Sequence, residues 1–107
     1  MIAKTPQPPY YAVIFTSIRT EGENGYSEMS GEMERMVEKQ PGFLGFETAR
    51  NETGITVSYW KDLESIRNWK ENVAHSVARK KGRKIWYEKY MVRIAKVERE
   101  YGFEKKN

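Results

Sequence analysis

The stretch that decides the fold runs from Ile55 to Lys70 and reads ITVSYWKDLESIRNWK. Its first part, up to Trp60, alternates along the chain and is rich in β-branched and aromatic residues, which predicts a half-buried strand. Asp62 then offers a side-chain oxygen to the first free N–H groups of a helix. Apolar residues follow at helical spacing, at Leu63, Ile66, Trp69 and Val73. The stretch therefore predicts a strand that leads directly into a helix, with three large aromatic side chains around the corner.

Further strands and one more helix are predicted on either side of this corner. Alternating apolar segments predict strands over residues 10–19, 43–50, 55–60 and 89–97. Helical periodicity predicts one helix that carries an apolar stripe from Tyr26 to Val37, with Asn24 as its cap and Pro41-Gly42 as its stop. It predicts a second helix from Asp62 to about Lys81 with a break near Asn72. The order β-α-β-β-α-β predicts a ferredoxin-like α+β domain, with a four-stranded antiparallel sheet and two helices on one face.

The chain length of 107 residues predicts one domain with a single modest core. We divide the chain into an extended leader over residues 1–9, the domain over 10–103 and a tail over 104–107. Tyr101 and Phe103 are expected to dock back on the body of the domain.

A homodimer is expected, because the predicted strands carry apolar residues on both faces. Two helices cover one face of the sheet, so the sheet of a second copy is the simplest cover for the other face. Arg93, on the last strand, either pairs with a carboxylate of the partner or reaches solvent.

The composition excludes several classes of site. The chain has no cysteine, which excludes disulfides, thiolate metal sites and iron–sulfur clusters, and its one histidine excludes a site built from several histidines. The longest apolar run, Tyr10 to Phe15, is too short to span a bilayer, and the N-terminus lacks the features of a signal peptide. These observations predict a soluble cytoplasmic protein with no membrane partner.

The net charge of +4 owes much to residues 79–84, which hold five cations. Such a run is either a phosphate-binding patch or the solvated end of a helix, where cations complement the helix dipole. We favour the helix end, so no nucleic-acid partner is predicted.

Four motifs together resemble the antibiotic biosynthesis monooxygenase (ABM) domain: residues 41–47 (PGFLGFE), 55–60 (ITVSYW), 66–70 (IRNWK) and 86–90 (WYEKY). The resemblance extends from Tyr10 to Phe103. It implies a dimeric α+β barrel with a pocket between the helices and the sheet of each protomer. It also implies an oxygenase activity without metal or flavin, on a small aromatic or quinone-like molecule.

The chemistry that the resemblance implies needs a dry aromatic pocket and a proton acceptor. The candidate walls are Phe15, Met33, Tyr59, Trp69 and Trp86. His75 is the candidate proton acceptor, since imidazole titrates near neutral pH. Three of these residues also have a structural interpretation: Met33 and Trp69 as core residues, and His75 as a surface residue. Because successive strand residues point to opposite faces, we assign Tyr59 to the helix-covered face and Trp60 to the dimer face or the strand end.

Two other functions stay open at this point. One is a non-catalytic ligand-binding or stress-related protein that keeps the barrel and the pocket. The other is haem degradation, for which relatives in the superfamily use an Asn on the first strand, a Trp and a helical His. The predicted first strand has no Asn, and His75 follows Trp69 by only six residues. We therefore predict that the protein uses neither haem nor another cofactor.

Overall fold

The computed structural model describes residues 1–79 and 83–106. The elements follow the predicted order, and a short 3-10 turn over Arg83–Ile85 precedes the last strand: β1 Tyr10–Arg19, α1 Tyr26–Val37, β2 Phe43–Arg50, β3 Gly54–Trp60, α2 Leu63–Arg79 and β4 Tyr87–Val97. The strands form one antiparallel sheet in the order β2-β3-β1-β4. The predicted ferredoxin-like α+β fold is confirmed, with β2 and β4 as the edge strands.

The turn between α1 and β2 is built by Pro41 and Gly42. The Phe43 N–H donates to the Gln40 carbonyl oxygen at 3.2 Å, and Gly42 has a φ of 82°. Glycine adopts that backbone conformation without strain. A side chain at Gly42 would also collide with Ser65, whose Cβ lies 2.7 Å from the position of the missing Cβ. The close approach of this turn to α2 therefore requires glycine.

The helix α2 begins with the predicted Asp62 cap, but it lacks the predicted break. Asp62 Oδ1 accepts a hydrogen bond from the Ser65 backbone N–H at 2.8 Å, and this contact with Ser65 holds the pKa of Asp62 below its usual value. The helix then continues to Arg79, so the expected break near Asn72 was wrong. The Asn72 side-chain amide instead donates to the side-chain oxygen of Gln40, in the turn that follows α1. The predicted end at Lys81 lies outside the described residues.

The start of α1 differs from the prediction that Asn24 caps it. The cap position is held by Gly25, and Asn24 itself adopts a φ of 47°. The carboxylate of Glu23 accepts the Ser27 N–H at 2.7 Å and so takes over the capping role.

Both helices cover the same face of the sheet, which we call the helix-covered face. The core there centres on Trp60, which is fully buried. Side chains from both helices and from two neighbouring strands pack around it: Val37, Ile66, Trp69, Tyr11, Val13 and Phe43. The assignment of Trp60 to the dimer face was therefore wrong, whereas the alternative assignment to the strand end agrees with its place as the last residue of β3. Trp60 pairs with Tyr11 on β1 and with Phe43 on β2, and these neighbours turn towards the helices.

The opposite face of the sheet, which we call the open face, carries Tyr59 instead. The ring of Tyr59 contacts Tyr10 edge to face, with ring centroids 5.8 Å apart, and its hydroxyl donates to Glu47 at 2.7 Å. The assignment of Tyr59 to the helix-covered face was wrong for the same reason. Burial, followed by the hydrogen bond to Glu47, raises the pKa of Tyr59 to about 12.

The leader meets the segment that follows β4 at one end of the open face. The backbone N–H of Ala3 donates to Glu47 at 2.9 Å, and the Thr5 hydroxyl donates to Glu100 at 2.8 Å. Tyr10 also donates to Glu100. Beyond this contact the chain leaves the body of the domain, and Tyr101 and Phe103 are 101% and 91% exposed. The prediction that these two rings dock back on the body was wrong.

Within residues 1–79 and 83–106, no helix is long and apolar enough to cross a membrane. The middle of the basic run over residues 79–84 lies outside the described residues, so its role stays a prediction.

Candidate functional site

Four aromatic side chains meet on the helix-covered face, where β1 ends and β4 and α1 begin. Phe15 lies 5.5 Å from Tyr87 and 5.3 Å from Tyr90 between ring centroids. Tyr87 lies 5.9 Å from Tyr90 and contacts Tyr26 of α1 edge to face at 6.0 Å. We call Phe15, Tyr26, Tyr87 and Tyr90 the aromatic cluster. Offset and edge-to-face contacts of this kind form a rigid apolar surface.

A shift in strand register brings Tyr87 and Tyr90 to the same face. Residues three apart on a regular strand point to opposite faces. Here Tyr90 pairs with Ser17 and Tyr87 pairs with Arg19, so β4 holds one extra residue opposite the end of β1. Such a bulge re-aims the side chains that follow it. Both tyrosine rings therefore reach Phe15.

A layer of apolar side chains adjoins the cluster. Trp86 and Met29 are buried, and Met33 of α1 and Val73 of α2 pack against them together with Tyr26 and Tyr87. The Trp86 indole N–H donates to the Asn24 carbonyl oxygen at 3.0 Å, which fixes the ring. Phe15, Met33 and Trp86, three of the five predicted wall residues, therefore belong to one continuous region.

Trp69, the fourth predicted wall residue, lies in the separate core around Trp60. The two indoles stack with centroids 6.2 Å apart. Tyr59, the fifth, lies on the open face and belongs to the hydrogen-bonded group with Glu47. The structure thus divides the five side chains among three places.

His75 lies on α2 and is exposed. Its neighbours Val73 and Ser76 turn towards the protein, Val73 against the Trp86 layer and Ser76 in a buried position. Its side chain therefore lies on the side of α2 that faces away from the sheet.

Two arginines border the aromatic cluster. The Arg19 guanidinium carbon lies 3.5 Å from the centre of the Tyr26 ring, and that of Arg50 lies 5.9 Å from the same centre. Arginine over the face of an aromatic ring gains cation–π attraction. Both cations thus face the ring through which α1 contacts the cluster.

These cations act on the titration of Tyr87. Burial, ahead of the nearby Tyr26 hydroxyl, raises the pKa of Tyr87 well above its ordinary value. Arg50 and Arg19 act in the opposite direction, because positive charge favours the phenolate. Tyr87 therefore stays a neutral phenol at physiological pH, but the positive potential of both guanidiniums reaches the centre of the cluster.

Sequence reasoning missed half of this site. It named Phe15, Met33 and Trp86, but not Tyr26, Tyr87 or the two arginines. The pair Trp86-Tyr87 was visible as an aromatic lead into the last strand. Strand pairing begins at Tyr87, two residues earlier than predicted. This earlier start depends on the register shift, which the sequence does not reveal.

The fold defines a ferredoxin-like α+β domain, and comparison with known proteins gives its family. A model of the antibiotic biosynthesis monooxygenase family matches residues 9–81. An uncharacterized protein of Bacillus subtilis (strain 168), YqjZ, is 48% identical over 105 residues, which cover 96% of this chain and 92% of that protein. The chain belongs to the antibiotic biosynthesis monooxygenase family.

Solved structures with low sequence identity share the fold. PA3566 from Pseudomonas aeruginosa superposes with a TM-score of 0.64 at 14% identity, over 90% of this chain and 99% of that one. SnoaB from Streptomyces nogalater, described as a cofactor-independent oxygenase, gives a TM-score of 0.63 at 10% identity, over 92% and 100% of the two chains.

Proposed function

We propose that the protein is a cofactor-independent monooxygenase that oxidises a small aromatic or quinone-like substrate with O₂. The proposal places the substrate against the aromatic cluster, between α1 and the helix-covered face. The observation that carries it is the contact of Phe15 with Tyr87 and Tyr90 beside the buried Trp86 layer, because flat electron-rich substrates need such a surface. The family, and the description of SnoaB, support the reaction class.

The reaction balances without an external reductant. An anthrone or quinol loses a proton, and its anion passes an electron to O₂. In an anthrone, the reacting methylene carbon gains one oxygen atom and becomes a carbonyl, while the second oxygen atom leaves as water. All the electrons come from the substrate. The task of the protein is then to bind the ring, exclude water and favour the anion.

We keep His75 as the candidate proton acceptor, since it is the only histidine of the chain and imidazole titrates near neutral pH. Its exposed position on α2 sets a condition on that role. The proton must reach it at the solvent side of the site or through water, because the buried Tyr87 phenol does not accept a proton.

One observation favours a second candidate function, a binding protein without turnover. In the part of the chain that the structure describes, the aromatic cluster contains no side chain that titrates near neutral pH, and His75 points to solvent. A substrate that ionises readily in water would still react, whereas a less acidic one would only bind.

Haem degradation is not supported by the geometry of α2. The helix is continuous, so His75 stays six residues after Trp69. At 100° per residue these side chains point in well separated directions. Trp69 is, in addition, stacked on Trp60 in the core.

We also propose that the protein is a homodimer through the open faces of two sheets. Ile55 and Met91 flank Thr16 on this face and are 46% and 54% exposed. Ile14 and Val57 form the next row. The leader covers only the end near Tyr59, so the apolar side chains of these rows remain for a second sheet to bury, with the exposed Arg93 at the β4 end of the Ile14 row.

Oxygen uptake tests the proposed function directly. Purified protein, treated with a chelator, is mixed with a panel of anthrones and quinols in an oxygen electrode. We expect uptake above the buffer rate for at least one substrate, and a loss of about tenfold or more in Phe15→Ala. Uptake no faster than in buffer for every substrate, with an aromatic ligand still bound, would leave the binding protein as the function.

A further inference from the structure

We propose that Arg50 and Arg19 form an anion-binding subsite at the edge of the aromatic cluster, which selects substrates carrying an anionic oxygen on an aromatic ring. A carboxylate and an ionised phenol or enol share this chemistry. The inference rests on the proposed function, because it names the substrate class for the same site.

The position of Arg50 is set by the pairing of three strands. Gly54 on β3 pairs with Arg50 on β2 and with Ser17 on β1, so the three residues lie side by side in one row. The Arg50 side chain crosses over Gly54 and donates to the Ser17 hydroxyl. The guanidinium occupies the place where a Cβ of residue 54 would lie. Glycine at this position thus allows a cation from the edge strand to reach the middle of the sheet.

The position of Arg19 is set by main-chain acceptors. Its Nε donates to the Trp86 carbonyl oxygen at 3.3 Å, and its Nη2 donates to the Gly22 carbonyl oxygen at 3.0 Å. These contacts hold the guanidinium on the Tyr26 ring. Both arginines are therefore held in place before any ligand binds, which lowers the entropy cost of binding.

Neither cation has a carboxylate partner. Across residues 1–79 and 83–106, the contacts of Arg19 and Arg50 are with Ser17, with two carbonyl oxygens and with the Tyr26 ring. A guanidinium carries five N–H donors, and these contacts use one of them in Arg50 and two in Arg19. Donors therefore remain on both side chains for a ligand oxygen.

The two guanidiniums create a positive electrostatic potential beside the apolar surface of the aromatic cluster, and this potential favours a bound anion. An anion between them would gain charge-assisted hydrogen bonds, which are about twice as strong as neutral ones. Its ring would at the same time contact the aromatic cluster. A neutral ring would gain only the contact with the aromatic cluster, so the subsite discriminates between ligands by their charge.

The subsite would also assist the proposed reaction. A nearby cation lowers the pKa of an acidic group, as the effect of both arginines on Tyr87 illustrates. The two cations would therefore offset part of the cost that burial places on the anion of a bound phenol or enol.

The test uses two probes that differ by one charge, 2-naphthoate and 2-naphthamide, with affinities measured by calorimetry at low salt. We expect wild type to bind the naphthoate about tenfold or more tightly than the amide. Arg50→Met, which keeps the stem and removes one of the two charges, should lower naphthoate affinity part of the way to that of the amide, because Arg19 remains, and should leave amide affinity unchanged. Arg67→Met, an exposed arginine on α2, is the matched control and should change neither affinity.

A second variant tests the geometry and keeps the charge. Gly54→Ala places a methyl group where the Arg50 guanidinium lies, and only the end of that flexible side chain must move. It should therefore weaken naphthoate binding and leave amide binding and the melting temperature nearly unchanged.

The outcomes separate the two proposals. Equal affinity of wild type for the two probes would overturn the anion subsite and leave the aromatic site intact. A naphthoate preference as large in Arg50→Met as in wild type would overturn the role of Arg50. Binding of neither probe would overturn the proposed site itself, and with it the subsite.

Discussion

The indole rings of Trp60 and Trp69 stack with their centroids 6.2 Å apart and their planes inclined by 29°. This contact joins the last residue of β3 to the second turn of α2, across the corner between them. Trp60 is fully buried, and its ring also packs edge to face against Phe43 of β2 at 5.4 Å. The corner is thus held together by Trp60 more than by any other side chain near it.

Trp60→Ala should lower the free energy of unfolding by about 3–5 kcal/mol, because it removes a large buried ring and leaves a cavity. Urea denaturation at fixed protein concentration measures the change. Tyr101→Ala, at a ring that is 101% exposed, is the control and should shift stability by less than about 0.5 kcal/mol. A cost below about 1 kcal/mol for Trp60→Ala would show that the ring does not form the core.

Gly42→Ala should destabilise the protein by about 1–3 kcal/mol, because a side chain at a φ of 82° is strained and would also meet Ser65. Gly102→Ala is the matched control, since a Cβ there meets no atom within 4 Å and the φ is not positive. Thermal unfolding compares the two variants. Equal melting temperatures would contradict the described turn.

The hydrogen bond between Tyr59 and Glu47 should make stability depend on pH in the alkaline range. The pKa of Tyr59 is raised in the folded state from 10.0 to about 12. A raised pKa means that the unfolded chain loses this proton first. The contribution of Tyr59 is therefore complete below pH 10 and is lost as pH rises towards 12.

Unfolding free energies of wild type and Tyr59→Phe, measured in urea from pH 8 to pH 11, test this dependence. The advantage of wild type should be constant up to about pH 10 and should shrink above it. An advantage that does not change over the whole range would contradict the buried hydrogen bond.

Met91→Asp should convert the proposed dimer to a monomer, because it places a buried negative charge within the proposed interface. Sedimentation velocity at micromolar concentration reads out the change. Leu63→Asp is the matched control, since Leu63 is 49% exposed at the start of α2, away from that face. A wild type that sediments as a monomer would contradict the dimer, and a dimer that survives Met91→Asp would place its interface elsewhere.

The sequence predicted the elements well and the faces of the strands poorly. Hydrophobic alternation and turn residues define β1 and β2 at their observed ends, and the Asp62 cap defines the start of α2. The faces of Tyr59 and Trp60 could not be derived in the same way, because β1 and β3 carry apolar residues on both sides. What decides the faces is pairing with Tyr11 and Phe43, which is a property of the whole sheet.

The site was half predictable for a related reason. Phe15 and Trp86 stand out by residue type, and Trp86 also lies in one of the motifs that resemble the family. The approach of Arg50 to Ser17 depends on a glycine on the strand between them and on the register of three strands. Sequence spacing alone carries no information on such a contact.

Isotopic labelling tests the central claim, that this chain adds an oxygen atom from O₂ to an aromatic substrate without a cofactor. The chelator-treated protein is given an anthrone under isotopically labelled O₂, and the product is analysed by mass spectrometry at short times. We expect a quinone that carries one labelled oxygen atom and forms about tenfold or more faster than in buffer or with Phe15→Ala. A product without label, or a rate equal to that in buffer, would contradict it.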